Sequence, residues 1–92
     1  MKESDIHRKI IKALNALPQT FVFKVHGGPY QMAGISDIVG VHRGRPVALE
    51  VKKPGGKATA IQLAFLAKWI AAGGVGGVVT SVEEAAELLS YG

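Results

Sequence analysis

The sequence predicts an α/β domain with the element order α-β-β-β-α-β-α. Three segments carry apolar residues at helical spacing, and four shorter segments are rich in β-branched and aromatic residues. Gly or Pro marks most of the boundaries between these segments. A chain of 92 residues has the size of one domain, so a single domain is expected over residues 1–92.

The first helix is expected from Glu3 to about Ala16. Ile6, Ile10 and Leu14 recur at intervals of four residues, which places them on one face of a helix. Pro18 then ends the helix, because proline cannot continue the hydrogen-bond ladder.

The first strand is expected at "TFVFKV", residues 20–25. Its side chains alternate between two faces, with Phe21 and Phe23 on one and Val22 on the other. The Gly- and Pro-rich stretch that follows, residues 26–34, is expected to form a loop over the functional face.

Two further strands are expected at about 36–42 and 46–53, and the turn between them is "RGR". Gly44 supplies the positive φ that tight hairpin turns require. The sequence "PGGK" closes the second of these strands.

The second helix is expected from about Ala60 to Ala72, with Thr59 as its N-cap. Its predicted apolar face consists of Ile61, Phe65, Leu66, Trp69 and Ile70. Two glycines at residues 73–74 end it, and "VGGVVT", residues 75–80, is expected to be a short buried strand. Ser81 and Glu84 have capping-box spacing and open a final helix to about residue 90.

The composition limits the classes of function. Hydrophobic residues make up 48% and charged residues 20%, which is ordinary for a globular domain. No apolar run approaches the length of a membrane span, and the N-terminus lacks the apolar core of a signal peptide. With no Cys, disulfides and thiolate metal sites are excluded, and a cytoplasmic protein is expected. The net charge of +4 favours a polyanionic partner such as nucleic acid, although many small basic proteins bind none.

Three charged residues interrupt the apolar strands of the hairpin. Glu50 and Lys52 are two residues apart and therefore share a face of their strand. If Arg43 and Gly44 form a two-residue turn, Asp37 lies opposite Glu50, whereas a shift of one residue would change its partner. In any nearby register, two carboxylates and one ammonium group converge at one end of the hairpin.

Two neighbouring carboxylates repel each other, and a divalent cation bound between them relieves that repulsion. Hard oxygen ligands on a rigid hairpin suit Mg²⁺ or Mn²⁺, and the backbone carbonyl of Val51 is a further candidate ligand. Lys52 would then orient a water molecule or stabilise charge on a phosphate, so the site predicts phosphodiester hydrolysis. The alternative from the residues alone is an ion pair on a solvent-facing sheet.

The sequence resembles the PD-(D/E)XK nuclease superfamily, and more closely its VRR-NUC family, over nearly the whole chain. The matching segments are "ESDIHRKIIKAL", "GISDIVGV", "GRPVALEVKKPGGK", "QLAFLAKWIAAGG" and "VVTSVEEAAELL". Ser36 stands before the Asp, where the family often has Pro. The resemblance implies a restriction-endonuclease-like αβββαβ core with a C-terminal helix and a mixed central sheet.

The resemblance also implies a role for each matching residue. Asp37 and Glu50 are similar to the acids that bind the metal, and Lys52 to the catalytic lysine. Glu3 matches a first-helix glutamate that approaches the metal, and Gln62 matches a glutamine near the scissile phosphate.

Basic residues near these strands are candidates for contacts with DNA. Lys53 and Lys57 border the "PGG" turn, and Lys24 and His26 belong to the neighbouring strand. A solvated turn explains Lys53 and Lys57 equally well, and for Lys24 and His26 a solvated surface is the favoured interpretation. The three histidines of the chain show no metal-ligand spacing among themselves, which argues against a zinc site. No glycine-rich nucleotide motif lies between a strand and a helix, so no small-molecule cofactor is expected.

The sequence therefore predicts a Mg²⁺- or Mn²⁺-dependent DNA endonuclease. A homodimer is expected, because one site cuts one strand and two symmetric sites cut two. The resemblance implies selectivity for branched DNA such as a four-way junction. The alternatives are a non-catalytic nucleic-acid-binding module on the same scaffold, a nuclease acting on RNA, and a purely structural or partner-binding protein.

Overall fold

The structure is a computed structural model that describes residues 2–26 and 32–90. Its elements are α1 (Glu3–Asn15), β1 (Thr20–Lys24), β2 (Ile38–His42), β3 (Arg45–Val51), α2 (Ala60–Ala71), β4 (Val75–Val79) and α3 (Val82–Ser90). The predicted order of helices and strands is confirmed. Residues 27–31 of the expected loop lie outside the described residues. Within the described ranges, no helix is both long enough and apolar enough to cross a membrane.

The four strands form one mixed sheet in the order β1-β2-β3-β4. The pairs β1–β2 and β2–β3 are antiparallel, and β3–β4 is parallel. Parallel neighbours need a crossover connection, which α2 provides between β3 and β4. The predicted mixed central sheet is confirmed.

The β2–β3 hairpin has the register expected from its turn. Arg43 and Gly44 have φ values of 50° and 81°, the left-handed conformation that a two-residue primed turn requires at both positions. His42 pairs with Arg45, and Ile38 pairs with Leu49 further along the ladder. Continued one residue past Ile38, this register places Asp37 opposite Glu50.

The helices lie on opposite faces of the sheet, as two adjacent glycines in β4 indicate. A Cβ added at Gly77 would lie 3.0 Å from Leu88 of α3, whereas one added at Gly76 would lie 3.3 Å from Leu66 of α2. Because neighbouring residues of a strand face opposite sides, α3 and α2 flank the sheet from either side. The absence of side chains at both positions allows each helix to approach the strand closely.

The hydrophobic core lies between the sheet and the helices α1 and α3. Its buried members are Ile6, Ile10, Leu14, Val22, Ile38, Val47, Leu49, Val51, Val75, Val79, Ala85 and Leu89. The side chain of Asn15 joins α1 to the edge strand, because its amide and its carbonyl oxygen both bond the backbone of Val22. This pair of hydrogen bonds satisfies part of the free edge of β1.

The predicted apolar face of α2 is only partly a core face. All of α2 lies in the described part of the chain, and Leu66 is its one buried residue. Ile61 and Ile70 were expected to be packed, but they are 58% and 51% exposed. The reason is that α2 packs mainly over β4 and β3, so Phe21 and Phe23 on the same face of β1 are exposed as well.

Candidate metal centre

Glu50 is a buried carboxylate on the side of β3 that faces α2. Its neighbours Leu49 and Val51 point into the main core, so alternation along the strand sends Glu50 to the opposite face. The residue is 1% exposed, and its Oε1 has no hydrogen-bond partner among the described residues. Its other oxygen, Oε2, lies 3.9 Å from the Nζ of Lys52. A buried acid with one unpartnered oxygen is unusual, because such a group costs free energy.

Asp37 is held at the start of β2 by bonds to both neighbouring strands. The backbone N–H of Val51 donates to its Oδ2 over 2.9 Å, and the N–H of Val25 donates to its backbone carbonyl over 2.8 Å. These bonds direct the Asp37 carboxylate towards the end of β3, beside Glu50. The structure therefore brings together Asp37, Glu50 and Lys52.

The two carboxyls titrate very differently. Burial and, next in size, the adjacent Asp37 raise the pKa of Glu50 to about 8, while Lys52 opposes the change. Burial also acts to raise the pKa of Asp37, but hydrogen bonds with Glu50 and with the Val51 N–H, together with His7, outweigh it, and the pKa is lowered. Near neutral pH the pair thus carries about one proton, and the directions of the two shifts favour Glu50 as its site.

The N-terminal part of α1 places two further side chains, Glu3 and His7, beside Asp37. Glu3 and His7 are one helical turn apart and therefore share a face of α1. One ligand atom from each of Glu3, His7 and Asp37 lies within 4.8 Å of the other two. Glu3 also acts on the Glu50 carboxyl by charge repulsion. The first-helix glutamate thus lies at the site, where the resemblance implied it.

His7 is a site residue that the sequence prediction missed. It is 6% exposed, and its Nε2 lies 3.4 Å from the Oδ2 of Asp37. A search for spaced pairs of histidines does not find it, because its neighbours in the site are acids. The signal that identifies it is the spacing of Glu3 and His7, four residues apart on a predicted helix.

Gln62 takes part in the cap of α2. Its backbone N–H donates to the Thr59 hydroxyl, and its side-chain Oε1 accepts from the Thr59 N–H over 2.9 Å. Thr59 is therefore the N-cap, as the sequence predicts. None of the contacts found among the described residues joins Gln62 to the acidic group, and its role near a phosphate stays a prediction.

The four basic candidates for nucleic-acid contact lie in different places. Lys53 and Lys57 are exposed and follow β3 directly, close in sequence to Lys52. Lys24 is exposed but pairs with Ile38, which places it on the face of the sheet opposite Glu50. His26 is exposed just beyond the end of β1. Lys53 follows Lys52 directly in the sequence, and His26 follows Val25, whose N–H bonds the Asp37 carbonyl.

The arrangement has the chemistry of a divalent-cation site. Asp37 lies beside Glu50 on one side and beside Glu3 and His7 on the other, and the ammonium group of Lys52 lies next to Glu50. A cation that takes the place of the shared proton would explain two features of the site. It would bind the unpartnered oxygen of Glu50, and it would offset the repulsion between the two carboxyls. Hard oxygen ligands of this kind suit Mg²⁺ or Mn²⁺. The residues present fit such an ion.

Comparisons with known proteins identify the fold. No protein-family model matches the sequence, and no curated protein matches it either. A solved structure described as a VRR_NUC domain superimposes with a TM-score of 0.78 and covers 97% of this chain and 95% of its own. The two sequences are 22% identical over the aligned residues. The chain has the fold of a VRR_NUC domain.

Proposed function

We propose that this protein is a metal-dependent nuclease that hydrolyses phosphodiester bonds in DNA. The observation that supports this most directly is the buried Glu50, whose Oε1 has no partner among the described residues and whose neighbours are a second carboxylate and an ammonium group. A structural ion pair would not leave a buried oxygen unsatisfied, because that arrangement costs stability without a compensating bond. The VRR_NUC fold gives independent support.

Each residue of the site is assigned a role from the chemistry of its side chain. Asp37, Glu50 and Glu3 would hold the cation, and the Val51 carbonyl is a further ligand because it points to the same side of β3 as the N–H that bonds Asp37. A bound divalent cation would supply Lewis acidity to a phosphodiester oxygen.

Lys52 acts on the substrate rather than on the cation. Its side chain is 19% exposed, so the ammonium group lies at the boundary between the buried acids and solvent. From there it stabilises the negative charge that develops on the phosphoryl oxygens as water attacks phosphorus and the P–O bond to the leaving nucleotide breaks. Gln62 would position the scissile phosphate, and Lys53 and Lys57 would contact neighbouring phosphates. Lys24 and His26 are weaker candidates for that contact, Lys24 because it belongs to the other face of the sheet.

The first test is substitution of Lys52. We expect Lys52→Ala to lower the cleavage rate of linear and branched DNA in Mn²⁺ by roughly 10²–10³-fold, because one stabilising charge is lost in the transition state. Lys12→Ala is the matched control, since Lys12 is exposed on α1. Undiminished cutting by Lys52→Ala would remove the lysine from the mechanism.

The same assay separates the alternatives to a DNA nuclease. Faster cleavage of matched RNA substrates than of DNA would assign the activity to RNA. Binding of DNA with no turnover in either metal would favour a non-catalytic binding module on this scaffold.

Cutting two strands together requires two sites, and an exposed apolar part of the sheet supports a homodimer. Phe21, Phe23 and Val41 lie on the α2 side of β1 and β2, and Phe21 is 62% exposed. The helix α2 is itself apolar on nearly all sides, with Gln62 and Lys68 as its polar residues. A helix of that composition is normally covered on more than one side.

A second copy of the chain suits this surface in area and apolar character. The side of α2 away from the sheet presents the exposed residues Ile61, Leu63 and Ile70. Under two-fold symmetry each α2 would cover the exposed apolar residues of β1 and β2 in its partner. These six side chains expose on the order of 500 Å² of apolar surface, close to the apolar share of a standard interface of roughly 800 Å² per partner.

The test of the dimer is sedimentation at micromolar concentration. We expect a dimer for the unmodified chain and a folded monomer for Ile70→Glu, which introduces a charge into the proposed interface. Ala86→Glu is the matched control, because Ala86 is exposed on α3 at the other face of the sheet. A monomeric unmodified chain would contradict the dimer, and double-strand cutting at one point would then need another explanation.

A further inference from the structure

His7 is held in one orientation by its own helix. Its Nδ1 lies 2.7 Å from the backbone carbonyl of Glu3. A carbonyl oxygen only accepts, so Nδ1 carries the proton of this bond, and Nε2 of the neutral ring presents a lone pair. The residue is only 6% exposed, and its Nε2 has no hydrogen-bond partner among the described residues.

That free lone pair points at a second acceptor. The Nε2 of His7 lies 3.4 Å from the Oδ2 of Asp37, a carboxylate oxygen that also accepts from the Val51 N–H. Two acceptors that face each other in a buried site repel unless a proton or a cation lies between them. Atoms of Glu3, His7 and Asp37 all lie within 4.8 Å of one another, a spread close to the ~4.4 Å that two opposite ligands span on an ion with bonds of roughly 2.2 Å.

We propose that His7 supplies a nitrogen ligand to the cation site through Nε2, together with Glu3 and Asp37, and that this ligand makes the protein prefer Mn²⁺ to Mg²⁺. The inference rests on the proposed function, since it concerns the same site. Mg²⁺ demands oxygen ligands and gives up its water reluctantly, whereas imidazole suits first-row transition metals, of which Mn²⁺ is the hardest. The bond from Nδ1–H to a backbone carbonyl is the support that metal-binding histidines commonly receive.

The experiment uses Mn²⁺ alone, bound to the full chain, and observes it by pulsed electron paramagnetic resonance. We expect a hyperfine coupling from one ¹⁴N nucleus, replaced by the ¹⁵N pattern when the protein is labelled with ¹⁵N-histidine. This measurement needs no substitution, so it does not depend on a variant that folds. A bound Mn²⁺ without nitrogen coupling would overturn the assignment of His7 and leave the proposed nuclease intact.

Substitution then separates a ligand from a residue that merely orients Asp37. His7→Gln keeps a polar group within reach of the Asp37 carboxylate and suits a helix, but it removes the imidazole. We expect Mn²⁺ affinity, measured by calorimetry, to fall by about 10–100-fold, with a much smaller fall for Mg²⁺. Equal losses for the two ions would show that His7 only positions Asp37, and would overturn the proposal.

Two controls complete the design. His42→Gln should leave the nitrogen coupling and both affinities unchanged, because His42 bonds Thr20 at the hairpin turn, away from the acids. Asp37→Asn should abolish binding of both ions. Failure of the unmodified protein to bind Mn²⁺ at all would overturn both this inference and the proposed function.

Discussion

The two faces of β3, a strand of seven residues, lie in different environments: one is apolar and the other carries charged groups. Val47, Leu49 and Val51 are fully buried against α1 and α3 in a continuous apolar core. On the other face, Glu50 is buried beside Asp37 with an unpartnered oxygen, and Lys52 follows at the boundary with solvent. Strand alternation alone separates these two environments, which are one residue apart.

The apolar face of β3 stabilises the fold, whereas burial of Glu50 on the other face lowers the stability. Burying apolar side chains on one face is favourable, whereas burying Glu50 next to another acid is unfavourable until a proton or a cation compensates it. Sequences selected for stability alone replace such an acid with an apolar or amide residue. Its presence on a rigid strand, anchored by the core behind it, is typical of a functional site.

Among the substitutions that test the difference between the two faces of β3, Glu50→Gln should have the largest effect. We expect DNA cleavage to fall by about 10³-fold or more, because the amide cannot replace a charged metal ligand. At the same time, the metal-free protein should resist urea better near neutral pH, because the amide is neutral without taking up the proton that a buried Glu50 needs. Glu83→Gln, at an exposed position on α3, is the control. A Glu50→Gln variant that is both active and unchanged in stability would show that the two faces do not differ as described.

A smaller effect is expected on the opposite face, from Leu49→Ala. Removing a fully buried leucine should lower the free energy of unfolding by about 2–5 kcal/mol, because it leaves a cavity in the core. Cleavage per folded molecule should stay near that of the unmodified chain, since the side chain points away from the acids. Chemical denaturation measures the first quantity, and Val78→Ala, at a partly exposed position of β4, is the control. A loss of less than about 1 kcal/mol would indicate that this core is loosely packed.

The third effect, smaller for each pH unit than the effect of Leu49→Ala, is the pH dependence of stability that the charged face produces. The pKa of Glu50 is raised to about 8 in the folded protein from its ordinary value of 4.5, which applies to the unfolded chain. The folded state therefore keeps a proton that the unfolded state releases, and this stabilising contribution is complete below pH 4.5 and lost as pH rises through about 8.

For one proton, the free energy of unfolding should fall by at most about 1.4 kcal/mol per pH unit across that window. Urea denaturation of the metal-free protein at several pH values measures the slope. Glu50→Gln should flatten it, and saturating Mn²⁺ should reduce it, because the cation replaces the proton. The lowered pKa of Asp37 acts in the opposite sense, and its contribution is lost only as pH falls through that lowered value. A slope that survives in Glu50→Gln would assign the titration to another group.

Much of the fold was predictable because its signals are local. The Arg43–Gly44 turn determines the register of the hairpin, and that register alone places Asp37 opposite Glu50. The caps of α2 and α3 were also predictable. Ser81 accepts from the Glu84 N–H as expected, although the Glu84 carboxylate bonds Thr80 instead of completing the reciprocal bond.

Predictions were wrong or incomplete where packing between distant segments decides the outcome. The spacing of apolar residues in α2 predicts a core face, but the area of sheet that the helix covers determines which of them are buried, and Ile61 and Ile70 are exposed. Likewise, the face on which Lys24 lies follows from the pairing of β1 with β2, which no local pattern encodes.

By itself, the sequence determined the order of helices and strands, the hairpin register and the pair of acids with their lysine, because short-range turn chemistry and strand alternation control all of them. The tertiary structure alone decided that His7 lies beside Asp37, that Glu50 is buried with one oxygen unpartnered among the described residues, and that Phe21 and Phe23 are exposed. These features depend on how α1 and α2 dock against a sheet formed by residues far from them in the chain. Docking is governed by the summed packing of many side chains, and no single motif records it.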